Sequence, residues 1–348
     1  MHITELDTPA LIIDLDIMEA NIRRMQARCA ALGIAFRPHI KTHKMPQIAW
    51  MQVEAGAVGI ACQKVSEAEV FAAAGLNDLQ IPYNIVGARK TARLTELALY
   101  NRVTVSVDHI SVIAGLADAT KPDDMSLRVL VELATPMART GAQAYEVVAL
   151  AQRIEREDGL HFAGLTLYPS HLDARATVQE ALHLLHKAGI GVDSVVGSGV
   201  GAPAVAHDFP ELTELRVGTY VFNDWRVVSK GLATLADCAL TIAATVVSRP
   251  TTDRVILDSG SKTLSSDVGD DGRYAYIVEY PDAKLYRLNE EHGYADFSAC
   301  DDRPVIGETL HLIPAHVCTA VNMHDQVYAA RGGTVEAVWQ IAGRGKVW

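Results

Sequence analysis

The chain alternates short β-branched runs with amphipathic segments of helical length, and this alternation limits the possible fold more than any other feature. Four segments between the runs have the composition of helices, namely 67–74, 90–100, 145–157 and 176–188. The predicted strands are 34–40, 58–62, 79–83, 103–107, 127–133, 162–168, 193–198 and 214–219. Eight such strands over roughly 200 residues predict a (β/α)8 TIM barrel with a buried parallel sheet, and a doubly wound open sheet is the alternative.

The pattern changes after about residue 235, where strand-rich sequence separated by turn residues replaces the alternation. The predicted strands of this part are 239–248, 254–258, 275–280, 308–313, 326–330 and 334–341. They predict a second, mostly antiparallel β domain, and the early run 10–14 lies outside the barrel strands and could join its sheet. We therefore expect a barrel over residues 16–235 and a β domain formed by residues 1–15 and 236–348.

The charge balance favours a small-molecule substrate. The chain carries 31 Lys+Arg against 42 Asp+Glu, a net charge of -11, so its field repels nucleic acid and anionic lipid. The five cysteines are scattered, which predicts neither a disulfide framework nor a CxxC zinc site. No run has the length and apolarity of a membrane span, and the first residues lack the features of a leader. We expect a cytoplasmic protein.

A cluster of lysines and histidines ends the first predicted barrel strand, in the run Arg37-Pro-His-Ile-Lys-Thr-His-Lys44. Barrel enzymes place their active sites at the carboxyl ends of the strands. A lysine buried there beside other cations can lose its proton near neutral pH, as Schiff-base formation with a carbonyl requires. Lys41 is thus a candidate for covalent chemistry, and a solvated loop is the alternative for this segment taken alone.

Later strand ends also carry polar or glycine residues. They are Arg139 after the fifth strand, Tyr168 with His171 at the sixth, the glycine-rich loop 197–203 after the seventh, and Arg216, Gly218 and Tyr220 at the eighth. Small residues in the loop would let backbone amides approach a phosphate, which barrels often bind after strands seven and eight. A Schiff-base lysine and a phosphate cradle at one barrel mouth predict a pyridoxal 5′-phosphate site, in which Arg216 would point towards the pyridine nitrogen. A surface ion pair is the alternative for Arg216.

His316 and Cys318 form a second constellation, late in the β domain. In an extended segment the two side chains would project to the same side and could share a metal ion. Imidazole plus thiolate favours zinc over magnesium or manganese, and two protein ligands leave coordination positions for substrate and water. The alternative is a core histidine beside a core thiol.

The chain resembles the fold-type III pyridoxal-phosphate enzymes of the D-threonine aldolase and D-serine dehydratase family. The resemblance rests on several motifs that follow one another in the right order and run nearly end to end. They are 37–44, 62–68, 214–224, 258–262, 291–293 and 314–318.

The resemblance implies a barrel that carries pyridoxal phosphate, a β domain that carries a divalent metal, and a homodimer with shared active sites. Lys41 matches the Schiff-base lysine, and His316 with Cys318 matches the two metal-ligand positions. The metal is expected to be zinc, with manganese or magnesium as alternatives. The residues expected to bind the cofactor are Lys41, Arg139, Tyr168, Ser198, Gly199, Gly201, Arg216, Gly218, Thr219 and Tyr220. The candidate catalytic residues are Lys41, His43 and His171, with His39 as a further candidate base.

The implied activity is a lyase acting on D-β-hydroxy-α-amino acids, of the aldolase type that forms glycine and an aldehyde. The second metal-ligand position is a carboxylate in typical D-threonine aldolases and a cysteine in typical D-serine dehydratases, so Cys318 favours the dehydratase branch. The loop and strand-eight motifs favour the aldolase branch. The alternative is therefore a zinc-dependent dehydratase of D-serine or D-3-hydroxyaspartate. An amino-acid racemase, a non-catalytic pyridoxal-phosphate carrier and a metal-free β domain that serves only dimerisation are further alternatives.

Overall fold

The computed structural model describes residues 1–120 and 125–348, which form two compact units. The β unit comprises Met1–Arg24, Thr42–Gln47 and Thr219–Gly345. The barrel unit comprises Met25–Lys41, Ile48–Gly218 and Lys346–Trp348. None of the helices in the described ranges combines the length and the apolar composition that a bilayer crossing needs.

The 3-10 helix Ile3–Glu5 is followed by strand β1 (Ala10–Asp14) and helix α1 (Leu15–Ala31), and eight parallel strands then build the barrel unit. These strands are β2 (Ala35–Phe36), β3 (Ile60–Ala61), β4 (Asp78–Ile81), β5 (Arg102–Val107), β6 (Leu127–Leu133), β7 (Leu160–Leu167), β8 (Ser194–Ser198) and β9 (Glu214–Arg216). They pair in the order β2-β9-β8-β7-β6-β5-β4-β3. Backbone hydrogen bonds from Val58 N to Phe36 O (2.9 Å) and from Ala61 N to Pro38 O (2.8 Å) join the two ends of this sheet. The predicted barrel is confirmed.

Amphipathic helices follow the strands of the barrel unit. They are α2 (Pro46–Glu54), α3 (Val65–Ala73), α4 (Ala88–Tyr100), α5 (Ile110–Thr120), α6 (Val147–Glu155), α7 (Arg175–Lys187) and the short α8 (Ala202–Val205). In α6 the buried side chains Val147, Leu150, Ala151 and Ile154 recur at helical spacing and form one apolar stripe. The strands are buried on both faces, as parallel sheets covered by helices are. The four predicted helical segments coincide with α3, α4, α6 and α7.

The β unit contains a nine-stranded, mostly antiparallel sheet, which confirms the second part of the predicted fold. Its further strands are β10 (Leu240–Ser248), β11 (Arg254–Leu257), β12 (Ala275–Ile277), β13 (Lys284–Leu288), β14 (Gly293–Asp296), β15 (Thr309–Pro314), β16 (Gln326–Arg331) and β17 (Thr334–Gln340). Strand β1 joins this sheet between β10, which it meets antiparallel, and β16, which it meets parallel. The short helices α9 (Trp225–Ser229), α10 (Ser261–Leu264) and α11 (Val317–Val321) complete the unit. The sequence prediction missed β13 and β14.

Candidate active site

Lys41 lies directly beyond the first barrel strand, in the 3-10 turn Ile40–Thr42. The segment before it continues the pairing with β9, because His39 N donates to Val217 O at 3.0 Å. The His39 ring accepts a hydrogen bond from Lys41 N through Nδ1 (3.4 Å), and its Nε2 lies 3.1 Å from Gln63 Oε1. Lys41 is thereby fixed at the carboxyl end of a barrel strand, where barrel enzymes place their reactive groups.

Arg216 ends β9 and is buried, with 6% of its surface exposed. Its Nε has no hydrogen-bond partner among the described residues. Burial lowers the pKa of Arg216 to about 10, and the carboxylates of Glu132 and Glu214 oppose that shift. A buried donor without a partner costs free energy, so this N–H is suited to an acceptor atom on a bound ligand, such as a pyridine nitrogen.

The loop after β8 has the small residues and the anchoring of a phosphate cradle. Ser198 Oγ donates to Arg216 O (2.7 Å), and Ser198 O accepts from Ser170 N (2.8 Å), so the loop is tied to both neighbouring strand ends. Gly199 has a φ of +117°, a region that side chains with a Cβ rarely adopt. A Cβ at Gly201 would lie 3.2 Å from His171 Cε1, so a side chain there would crowd the His171 ring. These residues fit a phosphate group held by backbone amides.

A cavity of about 470 Å³ opens at the mouth of the barrel unit. It is lined by Gln63, Pro82, Tyr83, Asn84, Val86, Lys90, Glu132, Arg139 and Thr140. The guanidinium of Arg139 lies 4.5 Å from the centre of the Tyr168 ring, so the fold brings these two predicted residues together.

Glu132 is an acidic residue at this cavity that the sequence analysis did not identify. It is buried on β6 and accepts a hydrogen bond from Thr140 Oγ1 at 2.8 Å. Burial raises the pKa of Glu132, although the hydrogen bond from Thr140 and the charges of Arg216 and Arg139 oppose that shift. The sequence could have identified Glu132 as a candidate site residue, because it interrupts the otherwise apolar end of a strand that is buried on both faces.

The predicted histidines have different surroundings. His171 is exposed in the barrel unit and precedes the 3-10 helix Leu172–Ala174. His43 is fully buried in the β unit, where its Nδ1 accepts a hydrogen bond from Met45 N at 3.1 Å.

Thr219 and Tyr220, which follow Gly218 along the chain, also belong to the β unit. Thr219 Oγ1 lies 3.8 Å from Cys318 Sγ, and Tyr220 is buried with 6% of its surface exposed.

His316 and Cys318 lie at the start of helix α11, and the expectation that they share an extended segment is wrong. His316 is the extended residue before the helix, and Cys318 is in its first turn. The helix starts here because the buried carboxylate of Asp224 accepts a hydrogen bond from Val317 N at 3.1 Å.

The two side chains are nevertheless neighbours. Burial lowers the pKa of His316, but the hydrogen bond and charge of Cys318, together with Asp267 and Asp224, outweigh it and raise that pKa to about 9. Cys318 Sγ also lies 3.2 Å from Thr42 Oγ1. Within residues 1–120 and 125–348, no three His, Cys, Asp or Glu side chains are arranged to hold a metal together. An imidazole beside a thiol is the donor set that zinc prefers, and it leaves positions open to other ligands.

Comparison with known proteins decides the family. The family description "Alanine racemase, N-terminal domain" matches residues 13–224, and "Putative serine dehydratase domain" matches residues 239–330. The chain is 35% identical to a D-threonine aldolase from Arthrobacter sp. over 99% of this chain and 94% of that protein. The chain belongs to the D-threonine aldolase and D-serine dehydratase family. This family depends on pyridoxal phosphate, and its aldolases and dehydratases are lyases, so the expected family and enzyme class are confirmed.

Other relatives represent both branches of the family. A D-threo-3-hydroxyaspartate dehydratase from Delftia sp. (strain HT23) is 30% identical over 90% of this chain and 91% of that protein. The crystal structure of D-threonine aldolase from Filomicrobium marinum superposes with a TM-score of 0.90 at 33% identity, over 99% of this chain and 97% of that one. A mutant of D-threo-3-hydroxyaspartate dehydratase solved in the metal-free form has a TM-score of 0.87 at 26% identity, over 98% of each chain.

Proposed function

We propose that this family member is a pyridoxal-phosphate- and divalent-metal-dependent lyase of the D-threonine aldolase type. It would cleave D-β-hydroxy-α-amino acids between Cα and Cβ to glycine and an aldehyde. The observation that carries the proposal is the buried Arg216 Nε, which lacks a hydrogen-bond partner among the described residues and lies on the same strand-end edge of the barrel as Lys41 and the glycine loop. The end-to-end similarity to aldolases supports the reaction type.

The barrel unit would hold the cofactor at three places. Lys41 would bind it covalently, the loop from Ser198 to Gly201 would receive its phosphate, and Arg216 would donate to its ring nitrogen. The bound cofactor supplies an electron sink for the carbon whose bond breaks. The remaining expected contacts are Arg139, Tyr168, Gly218, Thr219 and Tyr220.

Arg216 would act as a hydrogen-bond donor and not as an acid. With its pKa lowered only to about 10, it keeps its proton at neutral pH and can donate without giving that proton up. Glu132 and Glu214 lie close enough to stabilise this buried charge. We assign proton movement to Lys41 and His171, of which His171 is exposed and borders the glycine loop.

The β unit would hold the metal through His316 and Cys318, with zinc as the expected ion and manganese or magnesium as alternatives. A divalent ion supplies a Lewis acid for a substrate oxygen. From the family resemblance we further propose a homodimer in which both chains contribute to each active site. The scattered cysteines support the further proposal of a cytoplasmic location.

Cys318 favours a second candidate function, the zinc-dependent dehydratase of D-serine or D-3-hydroxyaspartate. In that reaction the Cα proton and the β-hydroxyl leave, and an oxo acid and ammonia follow. The two reactions begin with loss of different groups from the substrate, so their products separate them without ambiguity.

Product analysis tests the proposed reaction. The protein, supplied with pyridoxal phosphate and zinc, is incubated with D-threonine, D-serine and D-3-hydroxyaspartate. Glycine plus an aldehyde is the expected result. An oxo acid plus ammonia would establish the dehydratase instead, L-isomers would establish a racemase, and recovery of unchanged substrate would refute a lyase.

Absorbance near 420 nm tests the cofactor site. The wild type should show this band and lose it on borohydride reduction, because a Schiff base absorbs there. Lys41→Ala should lack the band. Lys44→Ala is the matched control, since Lys44 belongs to the same basic run but its Nζ donates to Gly343 O, and this variant should keep the band. A colourless wild type after reconstitution would contradict the proposal.

A further inference from the structure

We propose that Asp267 is a positioning residue for the metal ligand His316, which it orients so that Nε2 is the nitrogen presented to the metal. The inference rests on the metal dependence of the proposed function and extends it to a residue outside the His316–Cys318 pair. All the contacts involved lie within the β unit.

The central contact joins His316 Nδ1 to Asp267 Oδ2 at 2.6 Å. A carboxylate accepts hydrogen bonds, so at this distance the proton between them is the one carried by Nδ1. The other ring nitrogen, Nε2, is then the one that can release its proton and bind a metal. Metal-binding histidines generally have their second nitrogen fixed by a carboxylate or carbonyl in this way, which sets both tautomer and ring orientation.

Asp267 is itself held by neighbouring side chains. Thr319 Oγ1 lies 2.9 Å from Asp267 Oδ2 and 3.0 Å from His316 O, and it receives a hydrogen bond from Ser265 Oγ at 3.0 Å. Asp267 N in turn donates to Ser265 Oγ at 3.2 Å. Ser265 has a φ of +66°, which is uncommon for a residue with a side chain. The carboxylate that orients the ring is therefore fixed from two elements, the loop after α10 and the helix α11.

Asp224, the other carboxylate near His316, has a different task. Its two oxygens accept from Val227 N (3.0 Å) and Val317 N (3.1 Å), so it caps α9 and α11 and fixes the backbone that carries His316 and Cys318. Asp224 thus fixes the positions of His316 and Cys318, whereas Asp267 determines which nitrogen of His316 faces the metal.

Zinc affinity tests this assignment. Metal-free protein, with its pyridoxal phosphate retained, is titrated with zinc in competition with a chromophoric chelator. Asp267→Ala should bind zinc roughly 10–100-fold more weakly than the wild type, as losses of such outer contacts do. Asp267→Asn should fall between them, because its amide oxygen still accepts from Nδ1 but carries no charge. Thr319→Val, which loosens the carboxylate without removing it, should weaken binding by a smaller factor than Asp267→Ala.

The control is Asp270→Asn, which removes an exposed charge from the same loop and should leave zinc affinity unchanged. Thermal unfolding of the metal-free proteins separates positioning from a structural role. The metal-free Asp267 variants should unfold slightly below the metal-free wild type, because they lose the hydrogen bonds from His316 and Thr319. The difference from the wild type should become larger when both proteins are loaded with zinc.

Zinc affinities of Asp267→Ala and Asp267→Asn equal to that of the wild type would overturn the inference. So would an unfolding temperature of the metal-free variants lowered as much as that of the zinc-loaded ones. A wild type that binds no zinc would overturn both this inference and the metal site of the proposed function. Tight zinc binding that depends on Asp267, in a protein that yields no aldolase products, would refute the proposed reaction and leave this inference standing.

Discussion

The buried ion pairs of Arg37 give the sharpest prediction for the barrel unit. The Arg37 side chain is 8% exposed, and its Nε lies 3.0 Å from Glu214 Oε1 while its Nη1 lies 2.6 Å from Asp78 Oδ1. Arg37→Met keeps much of the stem and removes the charge, which leaves the buried carboxylate of Glu214 with Gln80 Nε2 at 3.3 Å. Breaking a buried pair in this manner costs about 3–5 kcal/mol.

Arg102 provides a matched control, because it pairs with the same Asp78. Its Nη1 lies 3.5 Å from Asp78 Oδ2, but its side chain is 62% exposed. Exposed pairs contribute about 0–1 kcal/mol, so Arg102→Met should have little effect. For a unit of this size, about 2–4 °C of melting temperature correspond to 1 kcal/mol. We therefore expect the melting temperature to fall by roughly 6–20 °C for Arg37→Met and by at most about 4 °C for Arg102→Met.

Thermal unfolding followed by circular dichroism measures both shifts in the protein loaded with cofactor. A double variant, Arg37→Met with Glu214→Gln, should recover part of the loss, because the uncompensated buried charge is then gone. Equal shifts for Arg37→Met and Arg102→Met, or a double variant less stable than Arg37→Met alone, would refute the reasoning from burial.

Three further predictions concern other parts of the chain. Gly164→Ala should sharply lower the soluble yield and the melting temperature. Gly164 has a φ of +124°, and a Cβ there would lie 2.0 Å from a carbonyl oxygen of β8. The control is Gly115→Ala, which should be neutral or stabilising because Gly115 lies in α5 with open space around it. Burial raises the pKa of Glu279, but hydrogen bonds from His311 outweigh this effect and lower that pKa. The free energy of unfolding of Glu279→Gln, measured in urea at pH 7, should therefore be lower than that of the wild type by about 1 kcal/mol. That difference should disappear as the pH falls through the lowered pKa, and a difference that persists in acid would contradict the assignment. In metal-free native protein, iodoacetamide at pH 8 should modify Cys318, and bound zinc should prevent this modification. Peptide mass spectrometry should find the buried thiols modified only after unfolding. Those thiols are Cys29 and Cys238, whose pKa values burial raises to about 11 and about 12, and Cys62, whose pKa burial also raises.

The barrel was predictable because its strands are buried on both faces and therefore appear as β-branched runs, as in β5. Strands β13 and β14 were not predictable from that signal. β13 begins with the exposed Lys284 and buries one residue of five, and β14 runs from Gly293 to Asp296, a composition that indicates a turn. In both cases the strand exists because its neighbours in the sheet supply hydrogen bonds, which a local pattern does not record.

The candidate site, like the fold, has features that the sequence predicted and features that it did not. The identity of Lys41, His316 and Cys318 as candidates followed from residue type and spacing. The local geometry of the metal pair did not, because the residue that starts α11 is Asp224, 93 residues earlier in the chain. The roles of Glu132 and Arg37 likewise depend on partners from distant strands. These partners lie next to each other only in the folded barrel, so the sequence alone does not identify them.

Strand β1 determines which fragments of this chain could fold on their own. It lies inside the sheet of the β unit, with Leu11 opposite Ile242 on one side and Ile12 opposite Tyr328 on the other. A fragment beginning near residue 236 would carry β10 and β16 but lack the strand between them, leaving two rows of unpaired backbone amides and carbonyls. Such a fragment would take a strand from another polypeptide, or aggregate. A gene fusion that transplants this sheet must therefore include the codons for β1 together with those for β10 to β17, although the barrel strands lie between them in the sequence.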